Sequence, residues 1–109
     1  MPWSHLLSCF FGGALLANAI PHFVSGLMGR PFQSPFARPR GEGLSSSTVN
    51  LAWGFANLVL FYLVACRVGD FDPRDMPDAA ALGLGMFLPG LGLARHFGRF
   101  NGGNLPERP

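Results

Sequence analysis

Five polar side chains stand in apolar surroundings in this chain, and their spacing decides what chemistry they can do. Asn18, His22 and Ser25 lie in the first long apolar stretch, and Asn50 and Asn57 in the second. With Ala14 and Gly29, the first three follow i, i+4, i+8, i+11, i+15 order, which is one stripe of a helix. Asn50, Gly54 and Asn57 follow i, i+4, i+7, with Trp53 beside them. His22 is the titratable member, and an ionisable group among apolar residues is a candidate proton or ligand site. The amides supply hydrogen-bond donors and acceptors only. The same residues can equally serve as glue between helices, each bond contributing ~0.6 kcal/mol net.

The elements that must carry these residues are membrane spans. The chain has 109 residues, 49% hydrophobic and 13% charged, against roughly 25% charged in soluble domains. Its 15 glycines fall largely inside apolar runs, where transmembrane helices tolerate them. The eight basic residues are all arginine and the net charge is +2, too small and too scattered for a nucleic-acid footprint. One domain, residues 1–98, is expected, followed by a disordered Gly/Asn/Pro-rich tail over 99–109.

Span 1 covers about Ser4 to Met28, longer than the ~20 residues that cross a hydrocarbon core. Its Ala17-Asn18-Ala19 triplet resembles a signal-cleavage site, but no basic segment precedes it and hydrophobicity continues through Met28. Pro21 removes the donor to the Ala17 carbonyl and predicts a kink. Span 2 covers about Thr48 to Val68, with N-cap candidates at Ser45, Ser46 and Ser47. Span 3, about Ala79 to Ala94, is interrupted by Pro89 and is either slightly short or extends through His96-Phe97 with Arg95 snorkelling to the interface, and a re-entrant helix is an alternative to a full crossing. Gly85, Pro89 and Gly92 share one face of it, and Ala81-x-x-x-Gly85 is a small-residue pair that lets backbones approach.

The first loop, Gly29 to Asn50, carries Pro31, Pro35 and Pro39, with Phe32 and Phe36 between them. It reads as an extended segment at the lipid headgroup level; folded under the bundle, it would cover the His22 site. The second loop is acidic, but Asp75 stands where an EF-hand needs glycine, so Asp78 reads as a helix cap and not as a calcium ligand.

Depth arithmetic pairs the first two spans. At ~1.5 Å per residue, Asn18 lies roughly 16 Å and His22 roughly 10 Å from the inner end of span 1, and Asn57 roughly 13 Å from the inner end of span 2. Antiparallel neighbours then bring Asn18 to Asn57, His22 to Trp53 and Gly54, and Ser25 to Asn50. Cys9 and Cys66 fall near the outer ends of their spans, within conceivable reach of a disulfide in an oxidising compartment, although free buried thiols are the commoner outcome. No zinc spacing, phosphate loop or nucleophile–base pair is found, and His5, His22 and His96 are spread in depth; no metal, cofactor or catalytic residue is expected.

The string NAIPHFVSGLMGRPFQSPFARPRGEGLSSSTVNLAWGFANL, Asn18 to Leu58, resembles the signature half of an uncharacterised group of small bacterial multi-pass membrane proteins. That resemblance implies a membrane location and no activity, and it does not reach span 3.

The expectation is an all-α polytopic membrane protein of three transmembrane helices with a Pro-rich interfacial loop. Arginine placement puts the N-terminus out and the C-terminus in across a bacterial inner (cytoplasmic) membrane. Its partners are membrane lipid and either further copies in a homo-oligomer or a larger membrane complex, with no nucleic acid. It acts as an accessory or oligomeric subunit through helix contacts at Gly54, Gly85, Gly92 and the Pro21 bend. The alternative is a small transporter or channel protomer with His22, Asn18, Asn57, Asn50 and Ser25 at its site. An enzyme is not expected, because only one candidate acid/base stands in the spans.

Overall fold

A computed structural model describes residues 3–103. The described residues are mostly helical, 72%. Among the described residues, three helices are long and apolar enough to cross a membrane. Helix α1 spans Trp3–Leu27. A two-residue strand β1, Phe32–Gln33, pairs antiparallel with β2, Leu44–Ser45, with Phe32 opposite Ser45. Helix α2 spans Ser47–Phe61 and continues as a π-helical segment, Tyr62–Val68. Helix α3 spans Met76–Asn101.

Local chemistry sets these bounds. Ser46 caps α2, its side chain accepting from the Val49 N–H. Asp75 caps α3 by accepting from the Asp78 N–H, and Pro77 sits in the first turn, where its missing N–H costs nothing. Asp78 was the expected cap; the helix begins three residues earlier, which leaves Asp78 inside the first turn and turned toward α1. At the other end Gly102 adopts the left-handed conformation, φ 75°, that stops α3.

The third helix takes the extended of its two expected forms, past His96 and Phe97, and begins before Ala79. It is neither short nor broken: it runs through Pro89 for 26 residues, about 39 Å at 1.5 Å per residue. Pro89 deprives only the Gly85 carbonyl of its helical donor, a single loss that a long apolar helix absorbs. The expected tail from Arg99 is helical as far as Asn101 and turns at Gly102 and Gly103, and residues 104–109 lie outside the described residues.

Helix α1 lies between the other two. Against α2 it runs antiparallel. A Cβ added to Gly12 would lie 2.6 Å from the Ala65 Cβ, one on Gly26 would lie 2.6 Å from the Leu51 Cα, and one on Gly54 would strike the Phe23 backbone nitrogen. Against α3 it runs parallel, where a Cβ on Gly13 would strike the Leu82 carbonyl and one on Gly85 the Phe10 carbonyl. Gly92, expected to pack on the same face as Gly85, meets no heavy atom within 4 Å. Gly92 is exposed where Gly85 is buried, and further along α3 Phe97 stands 5.8 Å from His22 and 4.7 Å from Phe32.

The interior is small and polar. Cys9, Ala19 and Ala65 are its fully buried apolar residues, beside His22, Asn50, Asn57, Ser34, Gln33 and Asp78. Leu7, Phe11, Phe55, Leu63, Phe87 and Leu88 point outward. That inside-out distribution suits an apolar solvent, where a polar group gains most by turning inward.

The first loop is not an extended surface segment. The short hairpin folds it back under the helices. Its Gln33 Oε1 accepts from Asn101 Nδ2 at 3.0 Å, and its Gly41 carbonyl accepts from His96 Nε2 at 2.6 Å. Ser34 Oγ and Ser45 Oγ close the hairpin at 2.6 Å. Backbone groups in a proline-rich segment have few partners of their own, and the ends of α2 and α3 supply them.

Candidate functional site

The predicted polar stripe is built where α1, α2, α3 and the loop meet. Asn18 Nδ2 donates to Asn57 Oδ1 at 3.2 Å, and Asn57 Nδ2 donates to the Trp53 carbonyl at 2.9 Å. The expected pairing of these two asparagines is therefore present. Asn57 is 2% exposed.

His22 is 1% exposed and its Nδ1 lies 2.7 Å from Asn50 Oδ1. The Asn50 Nδ2 lies 3.1 Å from each of three carbonyls, those of Phe32, Ser45 and Ser46. Only an amide nitrogen can stand among three carbonyl oxygens, so the amide orientation follows from chemistry. The oxygen then faces His22 and can only accept, which puts a hydrogen on His22 Nδ1. The imidazole is enclosed by aromatic edges: Phe32 at 5.5 Å, Phe97 at 5.8 Å and Trp53 at 6.5 Å. His22 thus lies near Trp53 as depth arithmetic required, and it also reaches one turn past it to Asn50.

Ser25 does not join Asn50. The amide of Asn50 is already committed to His22 and three carbonyls, and Ser25 remains half-buried on α1, its carbonyl accepting from the Arg30 N–H at 2.9 Å. Gly54 belongs to the site as a spacer, since its missing side chain admits the Phe23 backbone. Pro21 precedes His22 inside an unbroken α1.

What the site can do follows from this connectivity. Asn50 links α1, α2 and both strands of the loop hairpin through one side chain. Phe32 and Phe97 add the loop and α3 to the same cluster. The arrangement orders four elements around one amide. It offers one titratable ring, hydrogen-bonded to an amide oxygen.

A second cluster was not foreseen. At the opposite end of the helices, His5 Nε2 lies 2.7 Å from Asp78 Oδ1. The Cys9 sulfur completes a group whose ligand atoms all lie within 4.8 Å of one another. Asp78 Oδ2 accepts from the Asp72 N–H at 3.0 Å, which holds the carboxylate in place. The signal was His5-x-x-x-Cys9, one helical turn apart, but the third member comes from α3 and no local pattern announces it. Cys9 and Cys66 are both free thiols.

No family model, curated protein or solved structure matches this chain.

Proposed function

We propose that this is a small integral membrane protein of a bacterial inner membrane, working through its helix faces as an accessory or oligomeric subunit. The observation that carries this reading is where the polar groups go. Every asparagine and histidine of the predicted stripe is spent inside the chain, on another helix or on the loop. What remains outside is apolar helix surface. The most apolar part of α3 is only 11% buried by the rest of the chain, and α1 separates α2 and α3, so each presents a broad free face. A lateral groove of about 510 Å³ between α1 and α2, lined by Phe23, Leu27, Leu51 and Phe55, adds an apolar seat. Lipid or a neighbouring helix fits such surfaces; a dissolved substrate does not.

Orientation rests on arginine placement. The loop hairpin and the C-terminal turns of α3 lie together, joined through Gly41 and His96. That end carries Arg30, Arg38, Arg40, Arg95 and Arg99, whereas the other end has Arg67 and Arg74 among four aspartates. An excess of arginine favours the cytoplasmic side, which puts the N-terminus outside.

A transport role for His22 needs water at the ring, and the ring is enclosed by aromatic edges and held by Asn50. Packing is therefore the better account of this histidine. The test is mild-detergent extraction of native membranes with the tagged full chain, followed by cross-linking and sizing. Recovery in a stoichiometric assembly, of itself or of other membrane proteins, is expected. Recovery as a lone chain under every gentle condition overturns the reading.

A further inference from the structure

The cluster at the outer end of the helices has a donor set that the helix-packing role does not use. His5 and Cys9 are one turn apart on α1, so both project from the same face. Asp78 comes from the first turn of α3 and is 2% exposed. Its carboxylate is held by the Asp72 N–H on Oδ2, and its backbone by the Asp75 cap. Such outer contacts are what fix a ligating carboxylate in metal sites. Cys9 is fully buried, and the His5 side chain is 21% exposed, leaving an approach from the helix ends.

We propose that His5, Cys9 and Asp78 bind a divalent transition ion of the zinc class. One nitrogen, one sulfur and one oxygen donor suit a borderline ion: calcium and magnesium reject the thiolate, and copper(I) disfavours the carboxylate. Bond lengths of about 2.0–2.3 Å in a tetrahedron separate the donors by about 3.3–3.7 Å. The His5–Asp78 contact of 2.7 Å would open by under about 1 Å, and the sulfur, within 4.8 Å of both, would close by a similar amount.

Charge supports the same choice. A divalent ion with one thiolate, one carboxylate and a neutral imidazole is neutral overall, which a low-dielectric site favours. On binding, the Cys9 thiol proton is lost to solvent, and the proton bridging His5 Nε2 and Asp78 Oδ1 moves to Nδ1 or to solvent. Three bonds to the ion form in their place. The fourth position faces the exposed side of His5 and takes water. The site would also clamp α1 to α3 at the end opposite the Asn50 cluster.

The test uses the full chain in detergent, stripped with a chelator and titrated with cobalt(II) as the probe. One equivalent should bind with a thiolate-to-cobalt charge-transfer band and be displaced by zinc(II). The band should vanish in Cys9→Ala and persist in Cys66→Ser. Affinity should fall at least about tenfold in Asp78→Asn and in His5→Gln, the lower end of what even outer contacts contribute. Absence of the band in the wild-type protein overturns the proposal without any variant. So does a band that survives Cys9→Ala or is lost in Cys66→Ser, or an affinity indifferent to both Asp78→Asn and His5→Gln. Helical content by circular dichroism identifies any variant that has lost its fold.

Discussion

Removing the Asn50 side chain should release the first loop before it unfolds the helices. Two of the carbonyls that Asn50 holds, those of Phe32 and Ser45, belong to the hairpin strands, and the third, Ser46, keeps the backbone N–H of residue 50 as a donor. Asn50→Ala therefore removes two bonds to loop carbonyls, which keep only their hairpin partners, and leaves the His22 Nδ1–H unpaired. At ~1 kcal/mol for each loop bond, opening of the loop becomes easier by about 2 kcal/mol, or about 30-fold. The chain provides its own reporter. Trypsin cuts after arginine unless proline follows. Arg30 and Arg38 precede Pro31 and Pro39, so Arg40–Gly41 is the susceptible bond of this loop. In the folded protein Gly41 is held at both ends, its N–H to the Ser34 carbonyl at 2.8 Å and its carbonyl to His96 at 2.6 Å. Cleavage thus requires opening, and its rate tracks the open population when reclosing is fast. Proteolysis of the detergent-solubilised protein should accelerate about 30-fold in Asn50→Ala. Asn18→Ala, which touches α2 but not the loop, should leave the rate within about threefold, since its single bond contributes ~0.6 kcal/mol. Equal acceleration in the two variants, or none in Asn50→Ala, refutes the idea that one amide ties the loop to the helices.

Three other outcomes follow from the packing and the charges. Gly85→Val should lower the thermal midpoint in detergent by overpacking against the Phe10 carbonyl, at about 1–3 kcal/mol, while Gly92→Ala should fall within about 0.5 kcal/mol of wild type. A double-mutant cycle on Asn18→Ala and Asn57→Ala should give a coupling of about 0.6 kcal/mol; no coupling means that the 3.2 Å contact is not maintained. Reporter fusions after Gly41 and after Pro109 should both read cytoplasmic, with one in the Asp70–Asp75 loop reading external, and any other pattern reverses or breaks the proposed topology.

The parts of this protein legible from sequence were those set by period and depth. Two long apolar runs, with polar residues every turn, define α1 and α2. A fixed rise per residue then brings Asn18 level with Asn57 and His22 level with Trp53. That arithmetic needs no knowledge of the rest of the chain. It failed at Ser25, because equal depth does not decide which of several nearby groups wins an amide. Three loop and helix carbonyls, from Phe32, Ser45 and Ser46, took the Asn50 nitrogen, and His22 took its oxygen. It also failed at Gly92, since a shared helical face does not say how far along α3 the contact with α1 extends: Gly85 is buried and Gly92 exposed.

Tertiary structure alone decided the remainder. Pro89 reads as a break in isolation, yet α3 passes through it because the helix on either side is long and supported by α1. Prolines 31, 35 and 39 excluded a helix correctly, but whether the loop spreads on a surface or folds inward depends on donors at Asn50, His96 and Asn101, which lie up to 70 residues further on. Asp78 reads as a cap until α1 places His5 and Cys9 opposite it. His5 and Cys9 share one helical turn, but a carboxylate 73 residues from His5 has no sequence signature as their partner, because the physical cause of the meeting is the parallel alignment of α1 with α3.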